Sequence, residues 1–395
     1  MSTANTYDAV ILGGGAAGLM CGLSAAARGR RVAVVEHNTN PGEKIRISGG
    51  GRCNFTNIGA SPANYLSNNP NFCRSALARY TPRDFIAKVE QHGIAYHEKK
   101  LGQLFCDGSS AQITEMLVRE LLDGDGDLLC ACAVRDVAKV DDGFDVQTAD
   151  GVLHAARLVV ATGGLSIPQI GATPIAYQIA EQFGVPIISP RPALVPLTWR
   201  AEDAARFGDL SGVSFHCVAK ASGPAFEESA LFTHRGMSGP AILQASSYWH
   251  ADAPLHIDMD PANAVLPMLL DAKQQGKKAE IRTLLAAQFS QRLAQRLCEV
   301  YGWHGPVNTT SDRTLRAISE TLRHWRVQPA GTAGYQKAEV TAGGIDTRAL
   351  DPKTFEVKAV PGLHFIGECV DVTGWLGGYN FQWAWASGHA AGTAL

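Results

Sequence analysis

The fold is decided near the amino terminus by YDAVILGGGAAG, residues 7–18. The apolar run over residues 7–12 predicts a buried strand, the glycines predict a tight turn, and the alanine-rich run from Ala16 to Arg28 predicts a helix. A valine-rich strand over residues 31–36 completes one βαβ unit. Within the turn, Gly13 permits the bend, Gly15 lets the backbone approach a pyrophosphate and Gly18 allows close helix packing.

The second strand ends in Glu36, about twenty residues after the turn, where a carboxylate can accept hydrogen bonds from ribose hydroxyls. An acidic side chain here disfavours a 2′-phosphate, and the phosphates themselves are expected at the positive end of the helix. The pattern predicts a bound dinucleotide, FAD or NAD rather than NADP. The predicted contacts are Gly13, Gly15, Ala16, Ala17, Gly18 and Glu36.

A second motif, KIRISGGGRCNFTN at residues 44–57, favours FAD. The loop is too polar to be core, its glycines allow close approach to an extended ligand, and its side chains offer donors for phosphate, ribitol and ring oxygens. A surface loop without function is the alternative. The predicted contacts are Lys44, Ser48, Gly49, Gly51, Arg52, Cys53, Asn54 and Thr56.

Three further segments share the order of a known family: ATGG at residues 161–164, FTHRGMSGP at residues 232–240, and the glycine-rich run from Gly367 to Gln382. With SGGGRCNFTN they resemble the BaiN-type (YhiN-type) bacterial flavoproteins, which are NAD(P)/FAD-dependent oxidoreductases. The resemblance spans nearly the whole chain.

This resemblance implies an α/β fold: a glutathione-reductase-type, Rossmann-like FAD domain with an inserted small β-barrel and a helical subdomain. Shifts in composition place the FAD domain at residues 1–187 plus 340–395, the barrel at 188–260 plus 327–339, and the helical insert at 261–326. The resemblance adds further expected FAD contacts, with Glu368 on the ribitol: Ala133, Val134, Thr162, Gly163, Gly164, Gly367, Glu368, Gly378, Tyr379, Asn380 and Phe381.

The last glycine motif precedes a helix expected to begin near Gln382, whose backbone N–H groups can face the flavin N1/O2 edge and stabilise negative charge there. Trp383 and Trp385 are interpreted as core residues of that helix.

His234 and Arg235 are the candidate catalytic residues, one for proton transfer and one for binding a carboxylate or enolate oxygen; a structural role is the alternative.

Turn and cap residues indicate where other helices and strands begin and end. Thr81-Pro82 predicts a helix that stops at Gly93, and turn signals after residue 133 predict a meander of short strands leading into a buried strand at residues 157–161. In the insert, residues 281–301 and 312–325 are each predicted as one helix.

Composition excludes several classes of protein. With 35 basic and 37 acidic residues the formal net charge is −2, which disfavours a nucleic-acid or membrane partner. The nine cysteines form no C-x-x-C pair, so neither a disulfide framework nor a metal site is expected. Residues 1–6 lack the features of a signal peptide, and no apolar run is long enough to span a bilayer. The expectation is a cytoplasmic protein of undetermined oligomeric state.

The leading hypothesis is an FAD-dependent oxidoreductase that acts on a small organic substrate by hydride transfer through flavin N5, as in reduction of an activated C=C bond. No second G-x-G-x-x-G follows a strand, so either NAD(P)H binds transiently against the flavin as electron donor or the enzyme is an oxidase that uses oxygen. The alternatives are an amine oxidase producing hydrogen peroxide, an RNA-modifying flavoprotein that uses the arginines of the helical insert, and a flavin-binding sensor without turnover.

Overall fold

The computed structural model describes residues 6–395. The prediction that residues 1–6 are not a signal peptide falls largely on residues 1–5, which lie outside this range. The chain forms two compact units: one ends at Pro192 and resumes over Val340–Leu395, and the other spans Ala193–Glu339. The finer division of the insert into a barrel and a helical subdomain stays a prediction.

The first stretch of the chain, up to residue 193, alternates strands and helices. Its strands are β1 (Thr6–Leu12), β2 (Val32–Val35), β3 (Asn54–Asn57), β4 (Tyr65–Leu66), β5 (Tyr96–Glu98), β6 (Gln103–Cys106), β7 (Asp127–Leu129), β8 (Val134–Val140), β9 (Gly143–Thr148), β10 (Gly151–Val160) and β11 (Ile187–Ala193). Its helices are α1 (Ala16–Ala26), α2 (Glu43–Ile47), α3 (Cys73–Arg79), α4 (Pro82–Gln91), α5 (Ala111–Asp123) and α6 (Ile175–Gln182).

The remaining elements fall in the second unit and in the return to the first. The second unit holds β12 (Leu197–Thr198), α7 (Ala201–Phe207), β13 (Ser214–Lys220), β14 (Ala225–Thr233), β15 (Gly236–Ser238), α8 (Pro240–Ser246), β16 (Leu255–Asp258), α9 (Val265–Gln274), α10 (Ile281–Leu285), α11 (Gln291–Tyr301), α12 (Asp312–Arg323), β17 (Trp325–Val327) and β18 (Gly331–Thr332). The return holds β19 (Val340–Ile345), β20 (Leu363–Phe365), β21 (Thr373–Gly374) and α13 (Tyr379–Gly392). Short 3₁₀ turns occur at Ser48–Gly50, Pro62–Asn64, Pro168–Ile170, Gly208–Leu210, Val307–Thr309, Thr347–Ala349 and Gly367–Cys369.

The main sheet of the first unit has a parallel half and an antiparallel half. Its strands run β7-β2-β1-β10, all parallel, and β10 is long enough to pair with two strands on its other edge. The first half of β10 pairs antiparallel with β9, which continues to β8, and the second half pairs parallel with β20. The predicted meander and the buried strand after it are therefore one sheet.

The helices α1 and α13 are in unusually close contact with each other. An added Cβ on Gly388 of α13 would lie 2.4 Å from the carbonyl oxygen of Ala17 in α1, and one on Gly392 would lie 2.3 Å from that of Cys21. Only glycine permits the two backbones to approach this closely. The carboxyl-terminal helix is thereby packed against the helix that follows the first glycine turn.

Smaller sheets complete the first unit. The strands β3, β6 and β5 form a three-stranded antiparallel sheet, β21 pairs with β4, and β11 pairs with β19. The helix α4 begins as predicted, because the Thr81 side chain and Asp84 cap its first turn and Pro82 occupies its first position. Trp383 and Trp385 are both buried, in agreement with their interpretation as core residues.

The second unit is built on antiparallel pairs. Its strands run β17-β16-β13-β14-β15-β12-β18. Residues 281–301 are not one helix as predicted: the helix breaks after Leu285, and the Ser290 side chain accepts a hydrogen bond from Leu293 N to start α11. The last predicted helix likewise ends at Arg323, and Trp325 enters β17 instead. Within residues 6–395, every helix falls short of the length and apolarity that a membrane span requires.

Candidate functional site

The predicted cofactor segments gather at one edge of the main sheet. Gly13 follows β1, Glu36 follows β2, Ala133 lies shortly after β7, Thr162 lies two residues beyond the end of β10, and Gly367 follows β20. These are the five parallel strands of the sheet, and each segment leaves the carboxyl end of its strand. The carboxyl edge of a parallel sheet is the usual place for a bound ligand in α/β proteins.

The first glycine turn separates tight contacts from open space. A Cβ added to Gly13 would lie 2.5 Å from the Ala161 carbonyl oxygen, and one added to Gly18 would lie 1.9 Å from the Gly13 carbonyl oxygen. A Cβ added to Gly15 would meet no atom within 4 Å. Gly15 also precedes α1 without a side-chain cap or an acidic residue in the first turn. The backbone N–H groups at the start of α1 therefore face a space that suits a pyrophosphate.

Glu36 is held in place by the backbone of this turn. The side chain is 8% exposed, its Oε2 accepts a hydrogen bond from Gly14 N at 2.8 Å, and its Oε1 accepts one from Asn38 N at 2.8 Å. The segment that follows β7 lies beside Glu36, because Cys132 N donates to the Glu36 carbonyl oxygen at 2.9 Å. Oε1 also lies 3.2 Å from His37 Nδ1, whereas Oε2 keeps a lone pair for a further donor such as a ribose hydroxyl.

The loop from Ser48 to Cys53 turns through consecutive left-handed residues. Gly49, Gly50 and Gly51 have φ angles of 59°, 68° and 84°, and Cys53 follows at 46°. An added Cβ on Gly50 or Gly51 would meet nothing within 4 Å. The loop thus exposes its backbone next to the exposed Arg52 side chain.

Lys44 and Glu368 meet although 324 residues separate them. Lys44 Nζ lies 2.5 Å from Glu368 Oε2 and 2.8 Å from Ser166 Oγ. The other carboxylate oxygen accepts from Ser166 Oγ at 2.8 Å and from Thr341 N at 2.9 Å. The predicted Gly164 packs against the same group, since an added Cβ there would lie 2.9 Å from Glu368 Oε1.

Ser166 and Thr341 are members of this cluster that the sequence did not single out. Ser166 lies two residues beyond the predicted ATGG segment, which is the signal that could have indicated it. Thr341 lies in β19, where all six residues are buried, and its position in the sequence carries no such signal.

The Ser48–Asn57 loop and the last glycine motif are joined directly. An added Cβ on Gly378 would lie 2.4 Å from the Thr56 carbonyl oxygen, and Asn57 Nδ2 donates to the Gly377 carbonyl oxygen at 3.0 Å. Buried Thr56 Oγ1 donates to Gln382 Oε1 at 2.7 Å, so the proton of this hydroxyl already has an acceptor within the protein. The structure therefore brings both predicted flavin motifs together.

The last helix begins earlier than expected, at Tyr379 rather than near Gln382. Gly378 precedes it in a left-handed conformation, without a side-chain cap. Asn380 folds its amide back onto the preceding loop, accepting from Gly374 N at 2.8 Å and donating to the Gly374 carbonyl oxygen at 2.9 Å. Tyr379 and Phe381 are half-buried beside this start.

The two cysteines in the flavin motifs are buried thiols. Burial raises the pKa of Cys53 well above its ordinary value and that of Cys369 to about 12. The Cys369 thiol donates to the Ile366 carbonyl oxygen at 3.1 Å. Both groups are protonated at neutral pH, which argues against a thiolate nucleophile.

The candidate catalytic residues belong to the second unit. His234 and Arg235 form the turn between β14 and β15, and both side chains are exposed. Trp199 N donates to the Arg235 carbonyl oxygen at 2.9 Å, which anchors the turn to the start of the unit. Exposed groups of this kind can reach a substrate, and their catalytic role stays a prediction.

The residues at the sheet edge fit FAD. Thr162 Oγ1 is buried and has no hydrogen-bond partner within the described chain, and the Gly15, Gly50 and Gly51 backbones border open space. A buried hydroxyl without a partner is costly unless a ligand or water pairs with it. FAD extended from Glu36 past the first glycine turn to the loop at residues 48–53 would use these groups.

The chain is similar to known proteins over nearly its whole length. The HI0933-like protein Rossmann domain matches residues 7–394. The chain is 46% identical to the ribosomal RNA dihydrouridine synthase of Escherichia coli (strain K12), with 98% of each chain covered, and 26% identical to the 3-dehydro-bile acid delta(4,6)-reductase of Clostridium scindens, with 97% of this chain and 98% of that one covered.

Among solved structures, Mycobacterium smegmatis Sdh1 in complex with UQ1 has a TM-score of 0.51 at 16% identity, and the match covers 98% of this chain and 68% of that one. The predicted Rossmann-like α/β fold, FAD as cofactor and the resemblance to BaiN-type flavoproteins are thereby confirmed. The chain belongs to the HI0933-like family of FAD-dependent oxidoreductases with a Rossmann domain.

Proposed function

We propose that this enzyme reduces a uridine of ribosomal RNA to dihydrouridine, with FAD as cofactor and NAD(P)H as reductant. The observation that carries the proposal is 46% identity over 98% of both chains to a ribosomal RNA dihydrouridine synthase. The reaction adds a hydride and a proton across the C5=C6 bond of uracil and consumes one NAD(P)H and one proton. When bound, FAD supplies the hydride relay between the two substrates.

In this proposal the first unit holds the cofactor. Glu36 accepts from the adenosine ribose, the N–H groups after Gly15 bind the pyrophosphate, and the Lys44–Glu368 pair borders the ribitol. The positive end of α13 then stabilises negative charge at the ring edge. Support comes from the open spaces beside Gly15 and Gly51 and from the unpaired Thr162 hydroxyl.

His234 and Arg235 are proposed to act on the uracil ring. A cationic guanidinium can bind a ring oxygen where negative charge develops, and an imidazole can deliver the proton near neutral pH. Both side chains are exposed and so open to a large substrate. We expect His234→Gln and Arg235→Gln to lower turnover with RNA while the amount of bound FAD stays unchanged.

The sequence alone disfavours an RNA substrate, because a net charge of −2 provides no overall attraction for phosphates. That value is an average over the chain, and the helical insert differs from it. Residues 261–326 contain ten lysines and arginines against five acidic residues. Arg296 is used in pairs with Asp209 and Glu299. The cationic side chains of this segment that are exposed are Lys277, Lys278, Arg282, Arg292, Arg313, Arg316 and Arg326, a local excess that suits phosphates.

A second candidate is reduction of a C=C bond in a small molecule, the leading hypothesis from the sequence. It is favoured by the 26% identity to a 3-dehydro-bile acid delta(4,6)-reductase. The two candidates share FAD and differ in the size and charge of the substrate. Binding of an uncharged enone does not depend on salt, whereas RNA binding weakens steeply as salt is raised.

The test uses the full-length protein loaded with FAD and kept anaerobic. Ribosomal RNA transcribed in vitro, which carries no dihydrouridine, is incubated with NADPH or NADH, and the digested nucleosides are analysed by mass spectrometry. The expected product is uridine heavier by two hydrogen atoms. Parallel reactions contain a conjugated steroid enone, or amines with oxygen and a peroxide assay.

If only the enone is reduced, the second candidate replaces the first. Peroxide formation from amines would support the amine-oxidase alternative instead. A protein that neither holds FAD nor acts on any of these substrates would contradict the oxidoreductase assignment altogether.

A further inference from the structure

Four polar side chains of the first unit form one connected group, which we call the Glu368 cluster: Lys44, Ser166, Thr341 and Glu368. They come from α2, the segment after β10, β19 and the 3₁₀ turn after β20. Ser166 is 2% exposed and Thr341 is 1% exposed, whereas the side chains of Lys44 and Glu368 are 33% and 19% exposed. Lys44 and Glu368 are therefore the members that a ligand can reach.

The Ser166 hydroxyl has a fixed direction within this cluster. Lys44 Nζ has only protons to donate, so Ser166 Oγ accepts from it at 2.8 Å. The Ser166 proton is then donated to Glu368 Oε1 at 2.8 Å, because an ionised carboxylate can only accept. Lys44 also donates directly to Glu368 Oε2 at 2.5 Å. The cation is thus connected to one carboxylate oxygen directly and to the other through the serine.

Thr341 supports both Ser166 and Glu368. Its backbone N–H donates to Glu368 Oε1 at 2.9 Å, and its Oγ1 accepts from Leu165 N at 2.8 Å and from Ser166 N at 3.2 Å. The strand β19 can come this close because of Gly164, where an added Cβ would lie 2.4 Å from Thr341 Oγ1. Thr341 therefore holds the segment that carries Ser166 as well as the carboxylate that Ser166 contacts.

These hydrogen bonds leave two positions of the cluster open. Glu368 Oε1 accepts two hydrogen bonds and Oε2 accepts one, so one lone pair of Oε2 is unused within residues 6–395. Lys44 Nζ donates two of its three N–H groups to the cluster, and the third has no acceptor in the described part of the chain. The open donor and the open acceptor belong to atoms 2.5 Å apart. A ligand group that both accepts and donates can occupy them together.

Two kinds of group in FAD match this donor and acceptor. One is a hydroxyl of the ribitol or the ribose, and the other is the imide edge of the flavin ring, where N3–H lies beside a carbonyl oxygen. The pyrophosphate does not match, because it has no proton to donate to Glu368.

The position of the cluster favours the ribitol. Gly367 packs on the first turn of α1, since an added Cβ there would lie 2.8 Å from Ala17 Cβ. The cluster is therefore next to the predicted pyrophosphate site at the start of α1. The ribitol is bonded directly to the pyrophosphate, whereas the imide edge is at the far end of the flavin. The adenosine ribose belongs to Glu36 in the proposed function.

We infer that Ser166 is a positioning residue for the cofactor. Its hydroxyl connects Lys44 to Glu368 and orients the pair, so that one N–H of Lys44 and one lone pair of Glu368 Oε2 bind the same ribitol hydroxyl. Ser166 acts through these two residues and needs no contact of its own with FAD. The inference rests on the proposed function for the place of the ribitol, and it applies equally to an RNA substrate and to a small enone.

The test measures FAD binding by the full-length protein after its flavin has been removed. The variants are Ser166→Ala and Lys44→Met, each of which removes one link of the cluster. The matched control is Ser246→Ala, which changes a buried serine of the second unit that donates to the Leu243 carbonyl oxygen. Each protein is titrated with FAD and with FAD analogues that each lack one hydroxyl of the ribitol. Flavin fluorescence gives the dissociation constants, and circular dichroism reports folding.

The wild type is expected to bind one analogue about tenfold more weakly than FAD, which identifies the hydroxyl that the pair contacts. Ser166→Ala should bind FAD about tenfold more weakly than the wild type does, yet bind that analogue as tightly as the wild type does. Such coupling between a side chain and a ligand hydroxyl is specific to a positioning role, because a structural defect weakens every ligand alike. Ser246→Ala should bind all the ligands as the wild type does.

An equal loss of affinity for FAD and for every analogue in Ser166→Ala would overturn the positioning role. If that variant does not fold, the partly exposed Lys44→Met decides, with the same pattern expected. If the wild type discriminates between FAD and an analogue but both variants keep full affinity for FAD, only the role of Ser166 fails. If the wild type binds every analogue as tightly as FAD, the ribitol lies elsewhere. Dihydrouridine formation by the wild type tests the proposed reaction separately.

Discussion

At the scale of single residues, the glycines of the first turn have different structural roles although they are the same residue type. Gly13 and Gly18 are fixed by contact with protein backbone, whereas Gly15 borders open space. The G-x-G-x-x-G spacing predicted all three roles, because the strand, turn and helix that flank it leave little freedom. Thr56 and Asn380 are predicted cofactor contacts, and that role stays a prediction; their side chains are hydrogen-bonded to other protein groups.

We expect Gly18→Ala to destabilise the protein. Alanine in a helix is ordinarily more stable than glycine by about 1 kcal/mol, but here its Cβ would lie 1.9 Å from the Gly13 carbonyl oxygen. Overpacking of this kind costs about 1–3 kcal/mol or more. Urea unfolding of the FAD-free protein measures the change.

Gly15→Ala is the matched control and has its own outcome. The φ of Gly15 is −83°, which alanine adopts without strain, and its Cβ would meet no protein atom. Unfolding should therefore stay close to wild type while FAD titration shows weaker binding. Unchanged FAD affinity in this variant would mean that the pyrophosphate lies elsewhere.

Cys369 gives a prediction for alkaline pH. In the folded protein its pKa is about 12, against an ordinary value of 9. Below pH 9 both states keep the proton; between pH 9 and 12 the unfolded chain loses it first, so the free energy of unfolding falls by about 1.4 kcal/mol per pH unit for this group. Cys369→Ser keeps a donor for Ile366 and does not titrate there, so the decline from pH 9 to 10.5 should be shallower. Equal slopes in urea unfolding at several pH values would contradict this.

At the scale of elements, the local signals predicted several helices and strands but not the breaks within the helical insert. The run from residue 281 to 301 looks helical throughout, and only the capped restart at Ser290 divides it. Trp325 continues an apolar helical pattern, yet it pairs with Ile257 in a strand of the second unit. Tertiary pairing overrides local propensity at such ends.

Gln382 illustrates an element held by one buried side chain. It accepts from Thr56 Oγ1 at 2.7 Å and donates to the Tyr80 carbonyl oxygen at 2.9 Å, which ties α13 to β3 and to the residue that follows α3. Gln382→Met keeps the volume and leaves both partners unpaired, so we expect a loss of about 2–4 kcal/mol of stability. Thermal and urea unfolding measure it.

The control for that substitution is Gln178→Met on α6, where the side chain is exposed. It should change stability by less than about 0.5 kcal/mol. Similar losses for the two variants would indicate that helix propensity, not the buried hydrogen bonds, is responsible.

At the scale of the whole molecule, every predicted FAD contact belongs to the first unit. The chain leaves that unit through β11 and returns through β19, and these two strands pair. Within the second unit, Glu339 N donates to the Leu194 carbonyl oxygen at 3.2 Å, so its two ends are adjacent. The second unit is therefore an insertion that a short connection can replace.

We expect a protein in which residues 195–338 are replaced by a short glycine-serine linker to bind FAD and to lack turnover. The first unit retains its own core and all the predicted cofactor residues, while His234 and Arg235 are removed. Flavin absorbance after gel filtration, with circular dichroism as the check on folding, measures the first point. A folded variant without flavin would show that the insertion contributes to cofactor binding.

By itself the sequence determined the βαβ start, the dinucleotide site, the FAD motifs and the family, because strand period, glycine spacing and an acidic strand end are local signals that few folds satisfy together. Only the tertiary structure decided that Lys44 reaches Glu368, that Asn57 links Leu101 to Gly377, and that Ser166 and Thr341 join the site. Those contacts depend on which strand ends meet at one edge of the sheet, a property of strand order over hundreds of residues that no local pattern contains.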